Sequence, residues 1–382
     1  MRIAIVGTGY VADFYLKTLA NHPQLQLLGV MDRDVSRAAR FAAHHRVPAY
    51  PSLQALLDDP RVDLVANLTN PSSHYEVSRA ALEAGKHVYS EKPLSMDFDE
   101  AVRLVELAEA RGLHLGGAPC SILGETAQTL WRALRRGDIG TPRLVYAELD
   151  DGPIHRMGFE DWRSESGNPW PWKDELEVGC TLEHAGYYVS WLVAFFGPAI
   201  SVTSFAAIVV PDKTDVPLAH DAPDFSVACI ELASGVVARI TCSIFAPHDH
   251  QLRIIGDDGV LSIADCWDYG SPVFLQRRTK LRLKAEKYPR AAKIAGLGPE
   301  RVPLVRAPKF QWKTRGANPM DFARGIAEMA AGIRAQKPGR MSARQALHVN
   351  EIVLAMQNPS AMGTPRKLVT TCEAMSPMPW AE

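Results

Sequence analysis

The chain has 382 residues, enough for two domains with separate cores, and its hydrophobic (47%) and charged (22%) fractions are those of a soluble globular protein. A net charge of −1 gives no electrostatic reason to expect nucleic acid or a membrane as partner, and no apolar run reaches the roughly 20 residues of a membrane span. The six cysteines contain no C-x-x-C pair and the N-terminus enters an apolar strand at once, so a cytoplasmic protein with reduced thiols and no bound metal is expected.

Residues 2–6 are almost continuously apolar and read as a strand buried on both faces. Gly7-Thr8-Gly9-Tyr10-Val11-Ala12 follows as G-x-G-x-x-A, then a helical run over 11–19 and a second strand over 25–31 ending at Asp32-Arg33. Gly7 permits the tight turn, Gly9 lets a pyrophosphate approach, and the helix N-terminus offers free N–H groups. Asp32 lies where a carboxylate accepts the ribose hydroxyls of an adenosine. It repels a 2′-phosphate and so favours NAD(H), while Arg33, able to stack on adenine or pair with a phosphate, leaves NADP(H) possible.

Further on, helices are expected over 36–45, 53–57, 73–84 and 97–111, alternating with strands over 48–50, 62–68, 87–89 and 113–118. Strands alternating with helices build a parallel, doubly wound sheet, and ligands sit at the carboxyl ends of its strands. The segments after those ends, Thr69-Asn70-Pro71, Glu91-Lys92-Pro93 and the stretch reaching Cys120, should therefore converge with the glycine turn. After Gly140 the pattern changes to strands over 142–149, 199–210, 225–232, 236–245 and 251–255, with Ser234-Gly235 as a hairpin turn. These predict a second, α+β domain with a large, mostly antiparallel open sheet, interrupted by a helix over 179–196 and followed by helices over 319–336 and 343–356. An edge strand or loose tail is expected from 361 on. The boundary falls between 1–120 and 121–382.

Glu91-Lys92-Pro93 at the end of a strand of such a sheet, with Gly7-Thr8-Gly9 and the later sheet domain, resembles the glucose–fructose oxidoreductase / inositol dehydrogenase / MocA (Gfo/Idh/MocA) family over essentially the whole chain. The resemblance implies an NAD(P)-dependent oxidoreductase acting on a sugar, cyclitol or nucleotide-sugar hydroxyl or ketone. It places Lys92 between nicotinamide and substrate, with a cis bond before Pro93, and sets Thr69-Asn70-Pro71 and His74 beside the riboses. It also implies a homodimer or homotetramer packed through the open sheet. The family's second signature, G-G-x-x-x-D-x-G-x-H, falls on 179–188, where His184 stands at the aspartate position and Tyr188 at the histidine position. An i, i+4 pair shares a helix face, so either Tyr188, its pKa lowered by Lys92, or His184 is the expected proton acceptor. Two alternatives stay open: a resident-NAD enzyme acting on glycosides by transient oxidation, and a catalytically silent dinucleotide- or ligand-sensing protein.

The stretch 150–172 is rich in aromatic and charged groups that suit a sugar-binding wall. Asp151, His155, Trp162, Arg163 and Trp172 are its candidates, alongside Cys120, which follows the sixth strand. His248-Asp249-His250 is not expected to bind a metal, because three adjacent residues cannot all point one way on a strand. Residues 277–315 hold thirteen Lys/Arg against Glu286 and Glu300, a patch that would suit a phosphate-bearing substrate or remain a solvated basic loop.

Overall fold

In the computed structural model, which describes residues 1–285, 287–288, 290, 294–309 and 319–382, the first strand is the hinge of the architecture. This strand, β1 (Arg2–Val6), lies between β2 (Gln26–Met31) and β3 (Leu64–Asn67), and the sheet continues through β4 (His87–Ser90) to β5 (Leu115–Gly117). All four pairings are parallel. Ile3, Ala4, Ile5 and Val6 are buried on both faces, because crossover helices such as Tyr10–Leu19 and Phe98–Ala110 cover the sheet on either side. The strand order reverses between β2 and β3 around β1, which opens a crevice at the carboxyl ends of β1 and β3.

The second sheet has nine strands: β6 (Pro142–Asp150), β7 (Ala199–Ala207), β8 (Phe225–Leu232), β9 (Val237–Ser243), β10 (Leu252–Gly256), β11 (Gly259–Ile263), β12 (Val273–Arg277), β13 (Glu300–Val302) and β14 (Arg366–Lys367). Their spatial order is β13-β12-β11-β10-β6-β9-β8-β7-β14, antiparallel throughout except for the central β6–β9 pair. The expected strands appear with ends moved by a few residues; β11, β12 and β13 were not anticipated. The inner face, with Val202, Ile230, Ala238 and Ile240, packs beneath helices Gly186–Phe196 and Ala343–Gln357, while Ile200, Phe205 and Val237 stand exposed on the other face.

The expected helix over 179–196 runs as Cys180–His184 and Gly186–Phe196, interrupted only at Ala185, and a helix not foreseen, Trp172–Val178, precedes it. Gly179 joins them at φ +96°, where an added Cβ would lie 2.8 Å from Gln357 Oε1. The helix expected over 319–336 is shorter, Arg324–Arg334. The basic stretch 277–315 contributes the end of β12, a short helix Lys280–Ala285 and β13; its residues 286, 289, 291–293 and 310–315 lie outside the described residues. All six cysteines are free thiols, and no helix among the described residues is long and apolar enough to cross a membrane.

Candidate active site

Gly7 sits at φ +95°, and a Cβ there would strike the Leu68 carbonyl oxygen at 2.5 Å, so only glycine lets β1 turn against the end of β3. Gly9 caps helix Tyr10–Leu19 without any side-chain cap, and nothing lies within 4 Å of where its Cβ would stand. That leaves an open cradle beside the first-turn N–H groups, which fits a dinucleotide pyrophosphate. Asp32 Oδ2 accepts from the Thr8 backbone N–H (2.8 Å) and Thr8 Oγ1 (3.0 Å), and Oδ1 accepts from the Asp34 N–H at 2.9 Å. Arg37 Nε lies 3.5 Å from the same carboxylate and has no hydrogen bond, whereas Arg33 points into solvent. The cation beside Asp32 is thus Arg37, four residues beyond the Arg33 of the sequence reading.

The crevice is a cleft of about 540 Å³, within the usual range for small-molecule sites. Gly9, Tyr10 and Val11 line one end, Thr69, Asn70 and Pro71 a side, and Glu91 and Lys92 the floor. Glu91 is buried; its Oε1 accepts from Tyr15 Oη at 2.6 Å and its Oε2 from the Lys92 backbone N–H at 3.0 Å, so it fixes the chain on which the lysine stands. The Lys92–Pro93 bond is cis. His74 is fully buried below the loop, with Nδ1 2.7 Å from the Pro93 carbonyl oxygen and Nε2 2.8 Å from that of Thr69. It braces both segments and does not line the cleft.

Lys92 Nζ is ion-paired with Glu183, whose side chain is 5% exposed. Burial depresses the ammonium's pKa, but Glu183 and then Glu175 outweigh it and hold Lys92 above its ordinary value. Glu175, also in the cleft wall, is pushed well up by burial and by Glu183, with Lys92 opposing. The buried Glu183 and the partly buried Glu175 and Lys92 thus share one positive charge. Neither glutamate was foreseen: Glu183 neighbours the position read as the signature acid, and Glu175 stands on the unexpected helix.

Tyr188 does not face Lys92. It is fully buried between the helix and the second sheet, and its hydroxyl donates to the His250 carbonyl oxygen. Burial raises its pKa well above the phenolic value, the opposite of the expected depression. Tyr187 lines the cleft instead. His184 does line it, with Nδ1 2.9 Å from Asp151 Oδ2, though not aligned for a hydrogen bond. Asp151 is held below the usual carboxylate range: burial opposes ionisation, but His184 and His250 overcome it.

Of the aromatic stretch, Trp162 lines the cleft together with Pro169, Trp170 and Pro171; Trp267, packed edge-on against Tyr187 and His184, lines it too. Trp172 is turned into a satellite core against Phe159, with ring centroids 5.3 Å apart. His155 stacks on Phe245, and the Arg163 guanidinium folds back onto the Glu160 and Trp162 carbonyls, so both leave the site. Cys120 is likewise withdrawn: it is 3% exposed, with Sγ near the Asp321 carbonyl oxygen (3.4 Å) and Tyr269 Oη (3.5 Å), and burial raises its pKa to about 11. The same stretch also straps the two domains. Asn168 Nδ2 donates to the Thr8 carbonyl oxygen at 2.8 Å, Ser166 Oγ to Asp13 Oδ2 at 2.7 Å, and Lys17 pairs with Glu165 at 2.6 Å.

A second hollow of about 650 Å³ lies at the amino ends of β4 and β5, lined by His87, His114 and the ion-paired Glu109–Arg344. Ligands of such sheets bind at the opposite, carboxyl ends. The smaller cleft, at those carboxyl ends, is therefore the candidate site.

A family model for an oxidoreductase family with an NAD-binding Rossmann fold matches residues 1–116, and one for the GFO/IDH/MocA C-terminal domain matches residues 127–262. The trans-1,2-dihydrobenzene-1,2-diol dehydrogenase of Bos taurus is 27% identical over 271 residues, which are 70% of this chain and 75% of that protein. The UDP-N-acetylglucosamine 3-dehydrogenase of Acidithiobacillus ferrooxidans is 36% identical over 148 residues, 39% of this chain and 45% of that one. Among solved structures, a 3-ketoreductase of Actinomadura kijaniata in complex with NADP superposes with a TM-score of 0.70 at 21% identity, over 94% of this chain and 97% of that one. That last likeness is one of fold.

Proposed function

Because this chain belongs to the Gfo/Idh/MocA family and is an NAD(P)-dependent dehydrogenase or reductase, we propose that it moves a hydride to or from a secondary carbinol carbon of a sugar, cyclitol or nucleotide sugar bound in the cleft over Lys92. The observation that carries this is a partly buried ammonium, charge-balanced by the buried Glu183, on the floor of a cleft headed by the G-x-G turn. The dinucleotide, when bound, supplies the hydride acceptor or donor. Lys92 donates a hydrogen bond to the reacting oxygen and stabilises the negative charge that develops there. His184, with Nδ1 turned to Asp151, has its other ring nitrogen to exchange the hydroxyl proton, following the orienter–base logic of catalytic dyads. Trp162, Trp170 and Trp267 offer apolar faces to a sugar ring. The alcohol substrates of the named dehydrogenases above support this class.

Asp32 supports NAD(H) as the preferred dinucleotide, and Arg37 is the group that would admit NADP(H). Asp32→Ala is expected to raise the NADP⁺/NAD⁺ ratio of kcat/KM by about tenfold, the worth of about 1.4 kcal/mol of relieved repulsion; an unchanged ratio refutes this role. The reading as a whole is tested by following reduced-nicotinamide absorbance against sugars, cyclitols and nucleotide sugars with both dinucleotides. Substrate-dependent change is expected; silence across the panel despite bound dinucleotide would sink it. A reducing, cytoplasmic setting agrees with six free thiols. The exposed sheet face with Ile200, Phe205 and Val237 suits a homodimer or homotetramer, which sedimentation velocity checks: a wild-type monomer at micromolar concentration contradicts it.

A further inference from the structure

Strand alternation rules out His248, Asp249 and His250 as three ligands from one stretch, but it puts His248 and His250 on the same face. A third ligand can then come from the neighbouring strand end. Asp150 and Asp249 form an antiparallel bridge there, each backbone N–H donating to the other's carbonyl oxygen at 3.0 and 2.9 Å. This sets Asp151 beside the two imidazoles, and one ligand atom from each of the three lies within 4.8 Å of the others.

We propose that Asp151, His248 and His250 form a mononuclear site for a borderline divalent cation of the Zn²⁺ type. The donor set, two imidazoles and one carboxylate, is one that first-row transition ions accept with coordination positions left open. His250 Nε2 and Asp151 Oδ1 are hydrogen-bonded to each other at 2.8 Å, a contact that a cation ligated by both atoms would replace. Behind the ring, His250 Nδ1 faces Asp265 Oδ1 at 3.4 Å, so a carboxylate stands there to fix the tautomer. The second oxygen of Asp151 is held 2.9 Å from His184 Nδ1. His248 is exposed, makes no hydrogen bond among the described residues, and lies against the buried His250 ring with centroids 4.3 Å apart. A cation there would leave its open positions towards the solvent side on which His248 stands. It would also pin Asp151, and through it the imidazole that faces the cleft.

The test uses the untagged full chain, stripped with a chelator, dialysed, and titrated with Co²⁺ by ligand-field absorption and with Zn²⁺ by calorimetry. One equivalent per chain is expected for each ion. His248→Ala, a change at an exposed side chain, should weaken both affinities by at least about tenfold, whereas His220→Ala, exposed on another loop, should leave them unchanged. Absence of saturable uptake near one equivalent, or wild-type affinity in His248→Ala, overturns the proposal whatever the hydride chemistry proves to be.

Discussion

Lys92→Ala is expected to lower kcat by at least about 10³-fold while dinucleotide affinity stays within a few-fold of wild type. The lysine is the cation at the cleft floor, and loss of a preorganised donor to a developing oxyanion is typically worth about 10²–10³ in kcat, with the lost positive charge beside that oxyanion adding to it. The dinucleotide relies on other groups: the cradle at Gly9, the first-turn N–H groups and Asp32, none of which touches the lysine side chain. Removing this partly buried cation would strand Glu183 and Glu175, but the pKa of Glu175 is already raised, so the pair can shed charge by taking up a proton. Thermal melting beside steady-state kinetics and dinucleotide titration separates lost chemistry from lost fold. Turnover near wild type would remove Lys92 from the reaction.

Glu183→Gln is expected to lower kcat by about 10- to 100-fold and to bring the alkaline limb of the kcat–pH profile to lower pH. The sign follows from the forces on Lys92. Burial favours the neutral amine, and Glu183 is the foremost of the carboxylates that oppose it and keep the ammonium charged. With glutamine in place of that carboxylate, burial gains ground and the ammonium loses its proton at lower pH. An amine cannot stabilise the developing oxyanion as an ammonium does, so activity fades earlier on the alkaline side. Unchanged profiles would make Glu183 a mere spacer.

The end of the cleft formed by the glycine turn was legible in the sequence because its requirements are local. Gly7, Gly9 and Asp32 sit in one β-α-β unit whose spacing fixes their geometry, and Glu91-Lys92-Pro93 closes a strand of the same sheet. The far wall depended on tertiary contacts. On a helix advancing about 100° per residue, Glu183, Tyr187 and His184 fall within one arc of about 100°, and Tyr188 lies about 40° beyond it, against the sheet. The i, i+4 reading that paired His184 with Tyr188 therefore missed Glu183–Tyr187, the pair that shares the cleft face. Glu175 escaped notice because Trp172–Val178 follows a Pro-Trp run that reads as loop. Cys120 and Arg163 were placed by their position after a strand or beside tryptophans, but burial against Tyr269 and a turn-closing guanidinium decided otherwise. Strand alternation, which sets His248 and His250 aside, concerns one stretch alone and does not bear on Asp151, just past the end of β6, from which the proposed cation site draws its third ligand.

The claim that a hydride crosses this cleft is tested most directly by isotope transfer. A substrate from the active class, deuterated at the reacting carbon, is incubated with the enzyme and oxidised dinucleotide, and the recovered dinucleotide is weighed by mass spectrometry. The account predicts one deuteron on the nicotinamide ring in the wild type and none above background in Lys92→Ala. Label released to water, with oxidised substrate formed and the dinucleotide unlabelled, would contradict it.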